Sequence, residues 1–190
     1  MLKNPQSVAR MPEDEKPQSV AQYQRLLEPL AAALAQRVWR VLQNRDDVLD
    51  VLQDVQLKIW QKLAVIQRHP NPAALVVKIG IERALDVRRE RRNRASQSEQ
   101  DLSQRLDESA SVEGMTELSE AHEEVLDAIA RLPNQQSVCV YLRLVEQQDY
   151  FEISRTPEIT EATVRKHVER GRRQLQLWLP HLMTTNEVKQ

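Results

Sequence analysis

"ITEATVRKHVERGRRQL", residues 159–175, sets five Lys or Arg residues and one glycine into a short run of a chain whose formal net charge is only −1. Thr160 suits an N-cap, because its hydroxyl can accept from an otherwise unpaired amide of the first turn, and Glu161 favours the positive end of a helix dipole. A helix therefore starts at about Glu161. At about 100° per residue, Val164, Val168, Gly171 and Leu175 fall on one side, and Ala162, Arg165, Lys166, Glu169 and Arg173 on the other. Gly171 inside a helix costs about 1 kcal/mol relative to alanine, so close packing on the preceding helix is its expected purpose. Arg165 and Lys166 lie one or two turns in, where a helix laid in the major groove reaches base edges. Arg170, Arg172 and Arg173 lie further along, where they could hold phosphates. A solvated charged face explains these residues less well. The short piece "DYFEISRTPE" (149–158) precedes them, which gives the layout of a helix-turn-helix.

Outward from this stretch the chain reads as all-α. Only three glycines and 4% aromatic residues leave little material for turn-rich sheets or glycine-rich phosphate loops, whereas Leu, Ala, Glu, Gln and Arg abound. A length of 190 residues suits one medium domain or two small ones. "LSEAHEEVLDAIARL" (118–132) and "NQQSVCVYLRLVEQQ" (134–148) complete a second lobe of four helices spanning 118–179, with a tail at 180–190. A first lobe, 23–94, contains three helical segments separated by "QNRDD" (43–47) and "RHPNP" (68–72), where two prolines break any continuing helix. Val48, Val51, Leu52, Val55, Ile59, Leu63 and Ile66 recur at helical spacing and face a core. Leu49, Gln53, Leu57 and Trp60 form a flanking arc beside a polar strip of Asp50, Asp54, Lys58 and Gln61. Periodicity fits a bundle helix buried on two sides and a partner-binding ridge equally well. Residues 1–22 repeat "PQSVA" at Pro5–Ala9 and Pro17–Ala21 and read as a flexible tail.

Charge is segregated. The third segment begins with "AALVVKIGI" (73–81), apolar nearly all round, as in a central helix, and ends in "VRRERRNR" (87–94). From Lys78 to Arg94, seven Lys or Arg face Glu82, Asp86 and Glu90, a balance of +4. Cations at a helix C-terminus complement its dipole, but that accounts for two or three arginines, so nucleic-acid contact is favoured here. Residues 95–127 carry ten Asp or Glu against Arg105, a balance of −9 that masks both basic regions in the whole-chain sum. The part from 95 to 117 reads as a flexible acidic linker.

Other classes fit poorly. The four histidines are scattered, the lone Cys139 has no paired ligand, and His122 has no second histidine one turn away, so no metal site, cofactor or enzyme is expected. No apolar run approaches the roughly 20 residues of a spanning helix, and no export signal is visible, so a cytoplasmic protein without direct membrane insertion is expected.

Three stretches together carry a family resemblance. "DDVLDVLQDVQLKIWQKL" (46–63) resembles the part of bacterial sigma factors that docks on core RNA polymerase. "NPAALVVKIGIERALDVRRERRNR" (71–94) is similar to the adjoining helix that recognises and opens the −10 element. "LDAIARLPNQQSVCVYLRLVEQQDYFEISRTPEITEATVRKHVERGRRQL" (126–175) resembles the part that reads the −35 element. The order of the stretches and the absence of a middle domain between them resemble the small extracytoplasmic-function type of the sigma-70 family, with a region 2-like bundle and a region 4-like helix-turn-helix. The resemblance implies that Asp50, Gln53, Asp54 and Leu57 face core polymerase. It places Arg68, His69, Arg83, Arg88, Arg89, Arg91 and Arg92 near −10 DNA, and Thr163, Arg165, Lys166, Arg170 and Arg173 at the −35 groove. The implied partners are core RNA polymerase, promoter DNA and an anti-sigma factor, membrane-anchored or not. At the helix-turn-helix corner the family usually has two aliphatic residues and a glycine. Here stand Thr156, Pro157 and Glu158, and Pro157 disfavours helical geometry at Thr156, which implies a shorter or differently shaped corner. A sigma-like mimic that titrates an anti-sigma factor would not need basic groove-facing helices. A helix-turn-helix regulator that never docks on polymerase would leave the first lobe unexplained.

Overall fold

The computed structural model describes residues 20–101, 117–155 and 159–183, and within them every regular element is helical. The PQSVA repeat, most of the acidic stretch and the corner at Thr156, Pro157 and Glu158 lie outside the described residues. The first lobe comprises α1 (Val20–Leu27), a 3-10 turn (Glu28–Leu30), α2 (Ala31–Leu42), α3 (Arg45–Gln61), α4 (Leu63–Arg68) and most of α5 (Pro72–Asp101). The second comprises α6 (Glu117–Arg131), α7 (Asn134–Leu144), α8 (Tyr150–Ser154), α9 (Glu161–Trp178) and α10 (Pro180–Met183).

Local chemistry sets the breaks. At the end of α2, Gln43 takes a left-handed φ of 49° and its amide donates to the Trp39 carbonyl at 2.9 Å. Asn44 then caps α3, its Oδ1 accepting from the Asp46 and Asp47 amides at 3.0 Å each. Asn71 does the same for α5, accepting from the Ala74 amide at 3.1 Å, with Pro72 in the first helical position, where no amide is needed. Helix α5 continues to Asp101, past Arg94 where the sequence reading starts the linker. "ASQSEQD" (95–101) holds no proline or glycine, and extending an established helix is far easier than starting one. At the other end, Pro180–Met183 form a helical turn, and Leu182 packs against the core where the reading places a tail.

Helix α5 is the axis of the molecule. From Pro72 to Arg89 none of its residues is fully exposed. It packs against α2, α3 and α4 on one side and α6 and α7 on the other. A Cβ at Gly80 would collide with the Leu34 side chain, with Val38 close by, so the glycine lets α2 cross α5 closely. The two lobes share one continuous buried cluster that runs from Leu34 and Val38 through Ile81 and Leu85 to Leu126, Val140 and Val168. The sequence reading sets the two basic surfaces on separate lobes; here the lobes pack directly on each other.

Candidate nucleic-acid interface

The local fold of α8 and α9 follows from their caps. Asp149 Oδ1 accepts from the Glu152 amide at 2.7 Å, and Glu152 Oε2 accepts from the Asp149 amide at 3.1 Å, a reciprocal box that starts α8. Thr160 Oγ1 accepts from the Thr163 amide at 3.3 Å and starts α9 at Glu161, as its sequence predicts. Val164, Val168, Gly171 and Leu175 are the buried residues of α9. A Cβ at Gly171 would collide with Val140 of α7.

The opposite face of α9 is exposed at Ala162, Arg165, Lys166, Glu169, Arg170, Arg172 and Arg173. Arg165 is held from two sides: its Nη2 donates to Glu161 Oε1 at 2.6 Å, and its guanidinium lies 4.5 Å from the centre of the Tyr150 ring. Arg143 stacks on the same ring at 4.8 Å. These contacts orient Arg165 while its side chain keeps 60% of its surface open to solvent. Arg173 pairs with Glu169 at 2.5 Å. Thr163 is half-buried, its hydroxyl 2.9 Å from that of Thr160, which places it in the cap. The result is an oriented row of cations on one helix face, suited to phosphates and base edges.

On α3 the residues Asp50, Gln53, Asp54 and Leu57 are all exposed, and Leu49 and Leu57 each keep 56% of their surface in water. Of the arc that periodicity left undecided, Leu49, Gln53 and Leu57 are therefore open to solvent, while Trp60 is half-buried with its ring edge-on to Tyr23 at 5.4 Å. Trp39 of α2, half exposed beside Val48, extends the apolar ground. Trp39 is not singled out from the sequence, because it lies on α2, outside the α3 arc and polar strip. Asp54 Oδ2 accepts from Arg83 Nε at 2.8 Å, so a residue assigned to polymerase and one assigned to DNA are bonded to each other. This hydrogen bond to Asp54 is also the main reason that the Arg83 guanidinium holds its proton more tightly than usual. Arg68 is exposed, whereas the half-buried His69 uses Nδ1 to accept from the Asn71 amide at 3.1 Å at the entry to α5.

The rest of the basic run turns inward. Arg88 is 7% exposed, and all three of its guanidinium nitrogens are engaged. Its Nε donates to Asp127 Oδ1 at 2.6 Å, Nη1 to the Val41 carbonyl at 2.6 Å, and Nη2 to Glu123 Oε2 at 2.5 Å. Val41 carries one of the last carbonyls of α2, which has no intrahelical partner, so Arg88 closes a helix C-terminus while joining the lobes. Arg89 closes another: it donates to the Ala130 carbonyl at 2.7 Å and the Leu132 carbonyl at 3.1 Å, at the end of α6, and to Asp86 and Asn134 at 2.6 Å each. Arg91 lies 3.5 Å from Asp47, and Arg92 is half-buried. Glu123 and Asp127 belong to the acidic stretch that the sequence sets against the basic one. The spacing of charges shows the imbalance but not that the two blocks touch.

Among the described residues no group of His, Cys, Asp or Glu could hold a metal ion, and no helix is long and apolar enough to cross a membrane. Cys139 is buried in α7, and burial pushes its thiol up to about 11.

A short helix, α8, followed by a longer one, α9, that buries one face and exposes a cationic one has the layout of a helix-turn-helix. Residues 122–175, most of the second lobe, match the family model described as Sigma-70, region 4. Among solved structures the chain is similar to the sigma factor RpoE in complex with the anti-sigma factor NepR from Bartonella quintana. The identity is 19%, 85% of this chain and 98% of that chain are covered, and the TM-score is 0.49. No curated protein matches the chain.

Proposed function

We propose that the chain is an alternative RNA polymerase sigma factor that binds core polymerase and directs initiation at particular promoters. The observation that carries this reading is the cationic outer face of α9, oriented by Tyr150 and Glu161, inside a segment that matches region 4. In it, Arg165 and Lys166 read the −35 groove while Arg170 and Arg173 hold phosphates, with Thr163 securing the helix entry. The exposed Leu57, with Asp50, Gln53 and Asp54 on α3, forms the polymerase-docking ridge, and this apolar exposure favours docking over a regulator that acts alone. The −10 contacts fall to Arg68, Arg83, Arg91 and Arg92 around α5, and to His69, Arg88 and Arg89 once they leave their present partners. Polymerase supplies the catalysis, and an anti-sigma partner is expected from the family resemblance alone.

The test is run-off transcription by core RNA polymerase with and without the chain, on a library of upstream sequences. New start sites should appear with it, and Arg165→Ala or Lys166→Ala should change which −35 sequences are used, at about 1–3 kcal/mol per lost bidentate base contact. Absence of new start sites, or unchanged promoter choice in both variants, rejects the assignment.

A further inference from the structure

Glu169 is the single acid of α9 beyond its first turn, and its neighbours on the helix surface, three and four residues away, are all cations: Arg165, Lys166, Arg172 and Arg173. At about 100° per residue, Lys166 and Arg173 point away from the buried stripe, with Glu169 and Arg170 about 50° to either side. Glu169 therefore lies on the part of the helix that meets the floor of a groove. It lines a shallow open depression with Tyr150, Arg165 and Arg172, and its side chain is 61% exposed.

A carboxylate in that position has a cost. A face that gathers phosphates is weakened by an added anion, and the helix dipole, which favours Glu161 at the start of α9, offers nothing in its middle. The ion pair in which Arg173 Nη2 donates to Glu169 Oε1 is not reason enough, because an exposed pair one turn apart adds little stability. What the pair does is fix the carboxylate while engaging one oxygen only, so that among the described residues Oε2 has no hydrogen-bond partner. On the floor of a major groove an anionic acceptor finds few donors: the N4 amino group of cytosine, and the N6 amino group of adenine beside its N7 acceptor. Guanine presents N7 and O6 there and thymine O4, all acceptors that repel a carboxylate.

We propose that Glu169 is a specificity-determining residue that accepts a hydrogen bond from the N4 amino group of a cytosine and rejects guanine and thymine at the same position. Arg165 and Lys166 lie one turn earlier, about 5.4 Å along the helix axis, and base pairs are spaced about 3.4 Å apart. The cytosine therefore falls one or two base pairs from those that Arg165 and Lys166 meet. Arg173 acts as the positioning residue that holds the carboxylate toward the groove. The inference deepens the sigma-factor reading and rests on it for the promoter setting; the contact itself needs only a duplex, because the outer face of α9 is open to solvent.

The experiment selects bound duplexes from a randomised library with the full chain at low salt and reads the base frequencies at each selected position. The parent should prefer cytosine at one position by about tenfold. Glu169→Ala should lose that preference and keep the others. Glu169→Gln should move it to adenine, whose N6 and N7 a glutamine side chain can bridge. Arg173→Gln removes the ion pair but leaves the carboxylate, so cytosine should still be selected although every duplex is held less tightly. These readouts separate base reading from a merely structural role, because an acid that only spaces its neighbouring cations would, once removed, raise affinity for all sequences alike. No cytosine preference in the parent, a uniform gain in Glu169→Ala, or an unchanged preference in both Glu169 variants overturns the proposal. Run-off transcription by the parent chain tests the sigma-factor reading separately, since start sites can appear or fail to appear whichever base Glu169 selects.

Discussion

The end of α5 and the outer face of α9 are both arginine-rich helices, and sequence alone reads both as DNA surfaces, yet they differ in what surrounds them. Helix α9 buries one face and leaves the other in water, so its cations stay outside. Helix α5 is enclosed as far as Arg89, so Arg88 and Arg89 must find acceptors within the protein. They find them at the free carbonyls ending α2 and α6, at the carboxylates of Glu123, Asp127 and Asp86, and at the Asn134 side chain. Residue type is the same in both helices; the enclosure of the helix decides what the charge does.

The largest effect should separate the two helices outright. Arg88→Ala leaves the Val41 carbonyl and the carboxylates of Glu123 and Asp127 without their donor, and it should cost about 2–4 kcal/mol in urea unfolding. Lysine should not rescue it, because one ammonium cannot reproduce a fork that engages three acceptors. Arg172→Ala on the open face of α9 should stay within about 0.5 kcal/mol. Equal costs for the two would erase the distinction between an enclosed and an open basic helix.

A second test titrates the wall of the second lobe that faces α5. Burial holds the Cys139 thiol protonated up to about 11, against an ordinary value of 9.0. The unfolded thiol loses its proton first, so stability is complete below 9 and falls as pH rises toward 11, by about 1.4 kcal/mol per unit in that window. Tyr141, raised above its ordinary value mainly by burial and then by the Glu146 charge, adds to the loss at the alkaline end. Chemical unfolding followed between pH 8 and 11 should show a total decline of about 2–3 kcal/mol that Cys139→Ser largely removes. A flat profile would mean that this wall admits water.

Much of this was legible in residue order. The cap at Thr160, the core stripe of α3, the two faces of α9 and the packing purpose of Gly171 all follow from spacing and side-chain chemistry. The central position of "AALVVKIGI" was legible too, and it carries part of the missing inference: where such a helix runs between two lobes, arginines on its packed sides, as Arg88 and Arg89 are, meet acceptors within the protein. What spacing could not supply is which acids meet which bases. Glu146, Asp127 and Glu123 look like ordinary solvated carboxylates in sequence, and Arg37 and Arg40 like ordinary helix cations. Pairing across 109 residues, as between Arg37 and Glu146, depends on how the lobes dock and leaves no local pattern. The run from 95 to 101 was read as linker from its polarity, whereas helix continuation needs only the absence of a breaker.

The smallest effect lies within α9 and asks whether its two faces differ as sharply as the two helices do. Replacing Gly171 with alanine should gain about 1 kcal/mol from helix propensity alone. Against that stands the collision of the new Cβ with Val140, a fully buried side chain whose branching at Cβ keeps it from turning aside. Gln136 and Leu132 close the other sides at 3.3 Å, so the helix cannot slide away from the contact. Overpacking of this kind costs about 1–3 kcal/mol, which outweighs the gain and predicts a net loss of about 1 kcal/mol for Gly171→Ala. Lys166→Ala, one and a half turns earlier on the open face, gains propensity with nothing to collide with and should leave stability level or slightly higher. Thermal melts of the two variants side by side decide the sign. A Gly171→Ala chain as stable as the parent would show that α9 has room to shift on α7, and with it that Arg165 and Lys166 are not held in a fixed register above the second lobe.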